Sequence, residues 1–274
     1  MTDAAPAQSA RPAKSSRPVA LVTGASSGIG VALARELAKD GHDLILAARR
    51  HEPMQALAEE FKPLGATVHV VAADLSAPGA AAALFAEVER RGLAVDVLIN
   101  AAGIGDNGRF DRSDPAKLAS MLEVNVVALT ELTRLVLPGM LARRRGRVML
   151  IASTAAFQPG PQMAAYCASK AYVLNFGEAI GYELRGSGVT VTTLCPGATA
   201  TEFAAVSGAD KASLFSGGLP VMRASEVARI GYQGLKAGRA VVIAGLLNKI
   251  MALSARLSPT AISMPIASRM MSAP

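Results

Sequence analysis

A chain of 274 residues, 51% of them hydrophobic, carries enough apolar side chain for one large core, and no linker-like stretch divides its middle. Its net charge of +7 is scattered except at "RRRGR" (Arg143 to Arg147), and aromatics at 4% offer no stacking platforms between basic residues, which argues against a nucleic-acid partner. Cys167 and Cys195 cannot make a disulfide scaffold, and His42, His51 and His69 are scattered without a metal-binding spacing, so no metal site and a reducing cytoplasmic setting are expected.

Residues 1–17 are rich in Ala, Pro, Ser and basic residues and lack the apolar stretch of a secretory signal; they read as a disordered leader. Strand-length apolar runs then alternate with helical stretches. The first strand is "PVALVTG" (Pro18 to Gly24), followed by a helix in "VALARELAKDG". "DLILAAR" comes next, with a second helix in "MQALAEEFKPLG"; both helices end in a glycine suited to a C-cap. "TVHVVAAD" and "DVLINAAG" follow. "RRRGR" reads as a solvated helix end, with Gly146 as terminator and arginines favourable at the helix C-terminus. "GRVMLIAS", the helical "QMAAYCASKAYVLNFGEAIGYEL" and "GVTVTTLCPG" continue the pattern, and "EVARIGYQGLKAGRAVVIAG" adds one more helix and strand. Strands apolar on both faces belong in a parallel sheet covered on each side, so the alternation predicts a doubly wound α/β fold.

From Leu246 the chain changes character. "LLNKIMALSARLSPTAISMPIASRMM" is interrupted by Lys249, Arg256, Pro259, Pro265 and Arg269, so it falls short of the roughly 20 apolar residues of a bilayer span. It reads as helices packed on a cleft or a sister subunit, or as a membrane-surface anchor. The expected organisation is therefore a leader over 1–17, a catalytic unit over 18–245 and an amphipathic extension over 246–274.

Three stretches carry chemistry. Gly24, Gly28 and Gly30 join the first strand directly to a helix, with the spacing G-x-x-x-G-x-G. Glycines there allow a tight turn and let a pyrophosphate meet free N–H groups at the helix N-terminus. At the end of the second strand, Ala47 and Ala48 stand where an NAD-selective site places an acid, followed by Arg49 and Arg50. Two guanidiniums suit the 2′-phosphate of NADP(H); otherwise both are solvated helix-start residues. Tyr166 and Lys170 lie four apart on a helix and project on one side. A nearby lysine cation is expected to lower the tyrosine pKa towards working pH, fitting it as general acid and base. Ser153 ends the fifth strand, where its hydroxyl can donate to a substrate oxygen. Asn125 alone reads as a buried amide, Asp74 equally as a helix cap, Cys167 as small-residue packing, and Tyr172 and Tyr182 as packing or interface residues.

"TGASSGIG", "NAAG" (Asn100 to Gly103), "VN" (Val124, Asn125), "IAS" (Ile151 to Ser153), "YCASK" and "CPG" (Cys195 to Gly197) occur in that order. Together they resemble the short-chain dehydrogenases/reductases of the roughly 250-residue branch, from about Pro18 to Gly245; "NAAG" departs from the commoner "NNAG" at a mainly structural position. The resemblance implies a Rossmann-type sheet of order 3-2-1-4-5-6-7 and an NADP(H)-dependent oxidoreductase interconverting a carbonyl and an alcohol; the alternatives are a non-catalytic NADP-binding regulator, or a membrane-surface lipid, sterol or 3-oxoacyl reductase. It implies that Tyr166 and Ser153 act on the substrate, that Lys170 also bonds the nicotinamide ribose, and that Asn125 holds a proton relay to Lys170. Cofactor contacts are implied along Gly24, Ser26, Ser27, Gly28, Ile29 and Gly30, with Arg49 at the adenosine phosphate and Asp74 and Leu75 at the adenine. Asn100, Ala101 and Gly103 would lie beside the adenosine ribose, and Pro196, Gly197 and Thr199 against the nicotinamide carboxamide. A homodimer or homotetramer is implied as well. The loop holding Phe203, Leu214, Phe215 and Leu219 suggests an apolar or bulky small-molecule substrate.

Overall fold

The computed structural model describes residues 17–208 and 221–271; Leu214, Phe215 and Leu219 lie outside the described residues. Seven strands make one parallel sheet: β1 (Val19–Thr23), β2 (Asp43–Ala48), β3 (Val68–Ala72), β4 (Val95–Asn100), β5 (Gly146–Ile151), β6 (Val189–Cys195) and β9 (Val241–Ile243). Their order, β3-β2-β1-β4-β5-β6-β9, is the expected one; the seventh sheet strand is numbered ninth because β7 (Thr199–Ala200) and β8 (Met222–Arg223) pair separately. The order reverses between β1 and β4, where such sheets open a crevice at their carboxyl ends.

Alternate residues along each strand serve opposite faces. Ala20, Val22, Val97, Ile99, Met149 and Ile151 pack against α1 (Gly28–Lys39), α2 (His51–Phe61) and α8 (Ala224–Lys236) through Leu33, Leu37, Phe61, Val227 and Leu235. Leu21, Leu98, Val148 and Leu150 pack against α3 (Ala80–Arg90), α5 (Leu129–Ala142) and α6 (Ala164–Glu183) through Leu84, Val88, Leu132, Val136 and Val173. With both faces buried in all but the edge strands β3 and β9, the strands read as near-continuous apolar runs, as the sequence did. The helical run Pro115–Ala142, which includes α4 (Pro115–Leu122), is long and apolar enough to cross a bilayer by composition, but its Leu132, Val136 and Met140 sit in this core.

The helix ends refine the sequence reading. Gly41 and Gly65 take left-handed φ values of 82° and 71° after α1 and after the turn that follows α2. Arg17, expected as the last leader residue, staples both turns: its Nε donates to the Gly41 carbonyl at 2.9 Å and its Nη1 to that of Gly65 at 2.7 Å. At the basic run the expectation fails. α5 stops at Ala142, Arg144 rather than Gly146 is left-handed (φ 51°), and Gly146 opens β5 because a side chain there would strike Met140. Nor is the run simply solvated. Arg143 and Arg145 approach Asp96 Oδ1 at 3.7 and 3.3 Å, and Arg143 Nη2 donates to the Val95 carbonyl at 2.6 Å. Asp96 also accepts the Val19 N–H at 3.1 Å, so one carboxylate ties the start of β1 to the end of α5.

Asp96→Ala removes an anion facing the half-buried Arg143 and the exposed Arg145 and orphans the Val19 amide, and should cost about 1–3 kcal/mol. A denaturant midpoint equal to that of the parent chain would refute this role.

Candidate active site

The turn from β1 into α1 is pressed against the segment after β4. Gly24 has φ of 65°, and a Cβ there would lie 2.7 Å from the Ala101 oxygen and the Ala102 nitrogen. A Cβ on Gly30 would collide with the Gly24 carbonyl, so the helix can begin this close to the strand only with glycine. Thr23 Oγ1 clamps the two segments by accepting from the Ala101 and Ala102 N–H groups at 3.1 Å each. Thr23 belongs to the quoted "TGASSGIG", yet nothing in its spacing assigned it this role. Ser27 caps α1 by position without a side-chain hydrogen bond, and the first-turn residues Gly28, Ile29 and Gly30 line the cavity, so this helix N-terminus can serve as an anion cradle.

A cavity of about 800 Å³ runs along the carboxyl ends of the strands. Among its lining residues are Gly24, Ser26, Ser27, Gly28, Ile29, Gly30, Arg49, Asp74, Leu75, Ala101, Gly103, Ser153, Tyr166, Lys170, Pro196, Gly197 and Thr199, all expected at the site. Asn100 and Asn125 are not. Asn100 is buried and donates to Thr133 Oγ1 at 3.0 Å, so its side chain anchors α5 instead of facing a ribose. Asn125 is fully buried within a π-helical turn, Glu123–Ala128. Its amide clamps Ile104, accepting from its N–H at 3.0 Å and donating to its carbonyl at 2.9 Å, and donates to Ser169 Oγ at 3.1 Å. It reaches Lys170 only across Gly103, where a Cβ would lie 3.4 Å from both Asn125 Oδ1 and Lys170 Nζ.

Tyr166, Lys170 and Ser153 do converge. The turn after β5 delivers Ser153 to the cavity, where its Oγ accepts the Ala155 N–H at 3.1 Å and its hydroxyl lies beside the Tyr166 phenol, favouring the ionised form. Lys170 donates from Nζ to the Ile151 carbonyl at 2.9 Å and lies 5.7 Å from the Tyr166 ring centroid. Phe203, first residue of the short helix α7 (Phe203–Ser207), tilts against the Tyr166 ring at 5.3 Å between centroids. Cys167 is buried beside Gly160 among the larger Met121, Met163 and Tyr166, not in small-residue packing, and burial pushes its thiol up to about 11, away from nucleophilic chemistry.

The electrostatics of this corner differ from the sequence expectation. Burial pushes the Tyr166 phenol above its ordinary value and outweighs the Ser153 hydrogen bond that acts the other way. Burial also pushes Lys170 down to about 8. Both groups are driven towards their neutral forms, so the protein alone does not ionise Tyr166; it holds a phenol ready to donate beside a lysine that still carries its proton at neutral pH.

At the far end of the cavity, Arg50 donates to the Ser26 carbonyl at 3.2 Å and to Glu202 Oε2 at 2.7 Å. Arg49 lies near Asp74, whose carboxylate is held below its ordinary pKa chiefly by the Ser76 hydroxyl at 2.8 Å and the Ser76 N–H at 3.1 Å. Asp74 thus caps a turn, not α3, whose N-cap is Gly79. The third wall comes from beyond Gly245. In α9 (Leu246–Leu257), Asn248 sits where a Cβ on Gly197 would point and donates to the Ala244 carbonyl at 2.7 Å, while Leu247, Ile250 and Met251 line the cavity.

The family model described as short chain dehydrogenase matches residues 18–212. The putative ketoacyl reductase 1 of the granaticin polyketide synthase from Streptomyces violaceoruber is 36% identical over 206 residues, covering 74% of this chain and 76% of that one. A short-chain dehydrogenase from Sphingobium yanoikuyae, solved in complex with NADPH, superposes with a TM-score of 0.76 at 32% identity, over 86% of this chain and 92% of that one. A 7β-hydroxysteroid dehydrogenase structure gives a TM-score of 0.80 at 27% identity, over 91% and 96% of the two chains. With the glycine cradle and the Ser153–Tyr166–Lys170 corner lining one cavity, these matches place the chain in the short-chain dehydrogenase family of oxidoreductases.

Proposed function

We propose that the chain is an NADP(H)-dependent oxidoreductase that interconverts an apolar ketone or aldehyde and its alcohol. The observation that carries this reading is the single cavity joining a glycine-lined helix N-terminus to a buried serine–tyrosine–lysine corner. The residues fit a dinucleotide: a cradle that any Cβ would fill at Gly24 and Gly30, two arginines after β2, and no acid at the end of that strand. The α1 amides with Ser26 to Gly30 would hold the pyrophosphate, and Arg49 and Arg50 the 2′-phosphate. Asp74 and Leu75 would border the adenine, with Ala101 and Gly103 at its ribose. Lys170 would bind the nicotinamide ribose, and Pro196, Gly197 and Thr199 the carboxamide side. When bound, NADPH supplies the hydride for the carbonyl carbon.

The chain's own residues then hold the substrate oxygen and move one proton. Ser153 donates to that oxygen as charge develops on it, and neutral Tyr166 gives its phenolic proton; for oxidation the same groups run in reverse. Lys170, protonated at neutral pH, stabilises the phenolate left behind. Phe203, Met163, Ile104, Val206 and Met251 line the cavity near or beyond Tyr166, which favours an apolar substrate. Ketoacyl reductase and hydroxysteroid dehydrogenase relatives support the carbonyl class.

Tyr166→Phe should lower ketone-dependent NADPH oxidation by about 10²–10⁴-fold while NADPH still raises the melting temperature. Full turnover by the variant, or no turnover by the parent across a broad ketone and alcohol panel, would sink the reading. Lys170→Met should trade activity for stability. Because the folded pKa, about 8, lies below the unfolded 10.5, the buried charge costs stability in full below pH 8, and the cost fades as pH rises towards 10.5. Melts without cofactor should therefore show the variant stabilised by about 1–3 kcal/mol at pH 7, and by less at pH 10. An equal or lower melting temperature at pH 7 counts against it. Glu202→Gln should free Arg50 from its ion pair and tighten NADPH several-fold while leaving NADH unchanged. Fluorescence titration of both nucleotides checks this, and a parallel change in the two would disprove it.

A further inference from the structure

The outer side of the last two helices carries a surface that the cavity chemistry does not use. Leu246, Ile250, Leu253 and Leu257 are spaced four, three and four residues apart, so they form one stripe along α9. They are 74%, 55%, 60% and 75% exposed, while Ala252 on the opposite side is 3% exposed. The next helix, α10 (Thr260–Met271), adds Ile262 and Ile266 one turn apart, with Ser263 and Ala267 turned inward. Single exposed leucines are ordinary, but a row continued over two consecutive helices is a patch.

Charge says what the patch meets. From Arg229 to the end of the sequence stand Arg229, Lys236, Arg239, Lys249, Arg256 and Arg269, with no Asp or Glu among them. Lys249 and Arg256, seven residues apart, flank the α9 stripe on one side, and Arg269 continues the α10 row. An apolar stripe edged only by cations is the pattern of a helix lying in the headgroup plane of an anionic bilayer. A second copy of the chain fits less well, since a two-fold contact through this face would bring its cations against their own counterparts. The same helices also wall the cavity through Leu247 and Met251, and the half-exposed Ile250 and Ile266 border both the cavity and the stripe.

We propose that α9 and α10 dock on an anionic lipid surface, with Leu246, Ile250, Leu253, Leu257, Ile262 and Ile266 entering the acyl boundary and Lys249, Arg256 and Arg269 at the headgroups. The cavity mouth then lies at the bilayer, where an apolar carbonyl compound would partition. The docking itself requires nothing of the hydride chemistry; only the partitioning of a carbonyl substrate rests on the proposed function.

The full chain is sedimented with vesicles of phosphatidylcholine alone and of phosphatidylcholine mixed with phosphatidylglycerol, at low and high salt. Binding should be tighter on the mixed vesicles by roughly tenfold or more, and should weaken with salt. Leu253→Gln combined with Leu257→Gln should lower that binding roughly tenfold with melting temperature and NADPH binding unchanged, and Lys249→Glu with Arg256→Glu should remove the preference for the anionic vesicles. Equal binding to both vesicles, no binding to either, or undiminished binding by the stripe variant overturns the proposal. So does a dimer that becomes a monomer in light scattering on introducing L253Q/L257Q, because the stripe would then be a contact between copies.

Discussion

Two backbones that touch without side chains between them set the geometry of everything else. The β1–α1 turn can lie on the segment after β4 only because Gly24 and Gly30 present no Cβ, and Thr23 fixes the contact with two hydrogen bonds from Ala101 and Ala102. That contact is at the point where the strand order reverses. It aims the free N–H groups of α1 along the cavity, and by holding Ala101 to Gly103 in place it also fixes the floor beneath Lys170. A methyl group at either glycine would therefore disturb both ends of the site, although they belong to different strands.

The other end of the cavity is organised against stability. Burying a phenol and an ammonium side by side favours neither charged form, and the fold accepts this with one carbonyl acceptor for Lys170 and one serine partner for Tyr166. Pre-set groups of this kind need no solvent reorganisation when charge moves, which is where buried polar sites gain catalytic strength. The rigid support lies one layer out. Asn125 binds Ile104 and Ser169, and Ser169 in turn donates to the Tyr166 carbonyl at 2.7 Å. The π-helical turn at Glu123–Ala128 is what brings that amide inward.

The sheet and its order were legible because each strand is apolar on both faces and each crossover is helical, so local pattern and global fold agree. Tyr166, Lys170, Ser153 and the glycines were legible because six motifs occur together in the order of one family; any one spacing alone says little. What escaped was pairing across distance. Arg50 and Glu202 are 152 residues apart, and neither one's neighbours mention the other. The Asp96 carboxylate converts a basic run that looks solvated into an anchor for the start of β1. The side-chain partners of Asn100 and Asn125, here Thr133, Ile104 and Ser169, were hidden for the same reason: buried amides bond groups distant in sequence. The pKa of Tyr166 was misjudged for a related reason: spacing shows a lysine nearby and does not show how dry the site is.

The Arg17 staple fixes where the body of the fold is entered. Arg17 grips the Gly41 and Gly65 turns, which precede β2 and β3, and so it lies at the amino edge of the sheet. The cavity opens at the carboxyl edge, the length of β1 away, about 15 Å through packed core. A tag, fusion partner or tether attached directly at Arg17, in place of residues 1–16, would therefore start at the amino edge, on the side of the sheet opposite the cavity mouth.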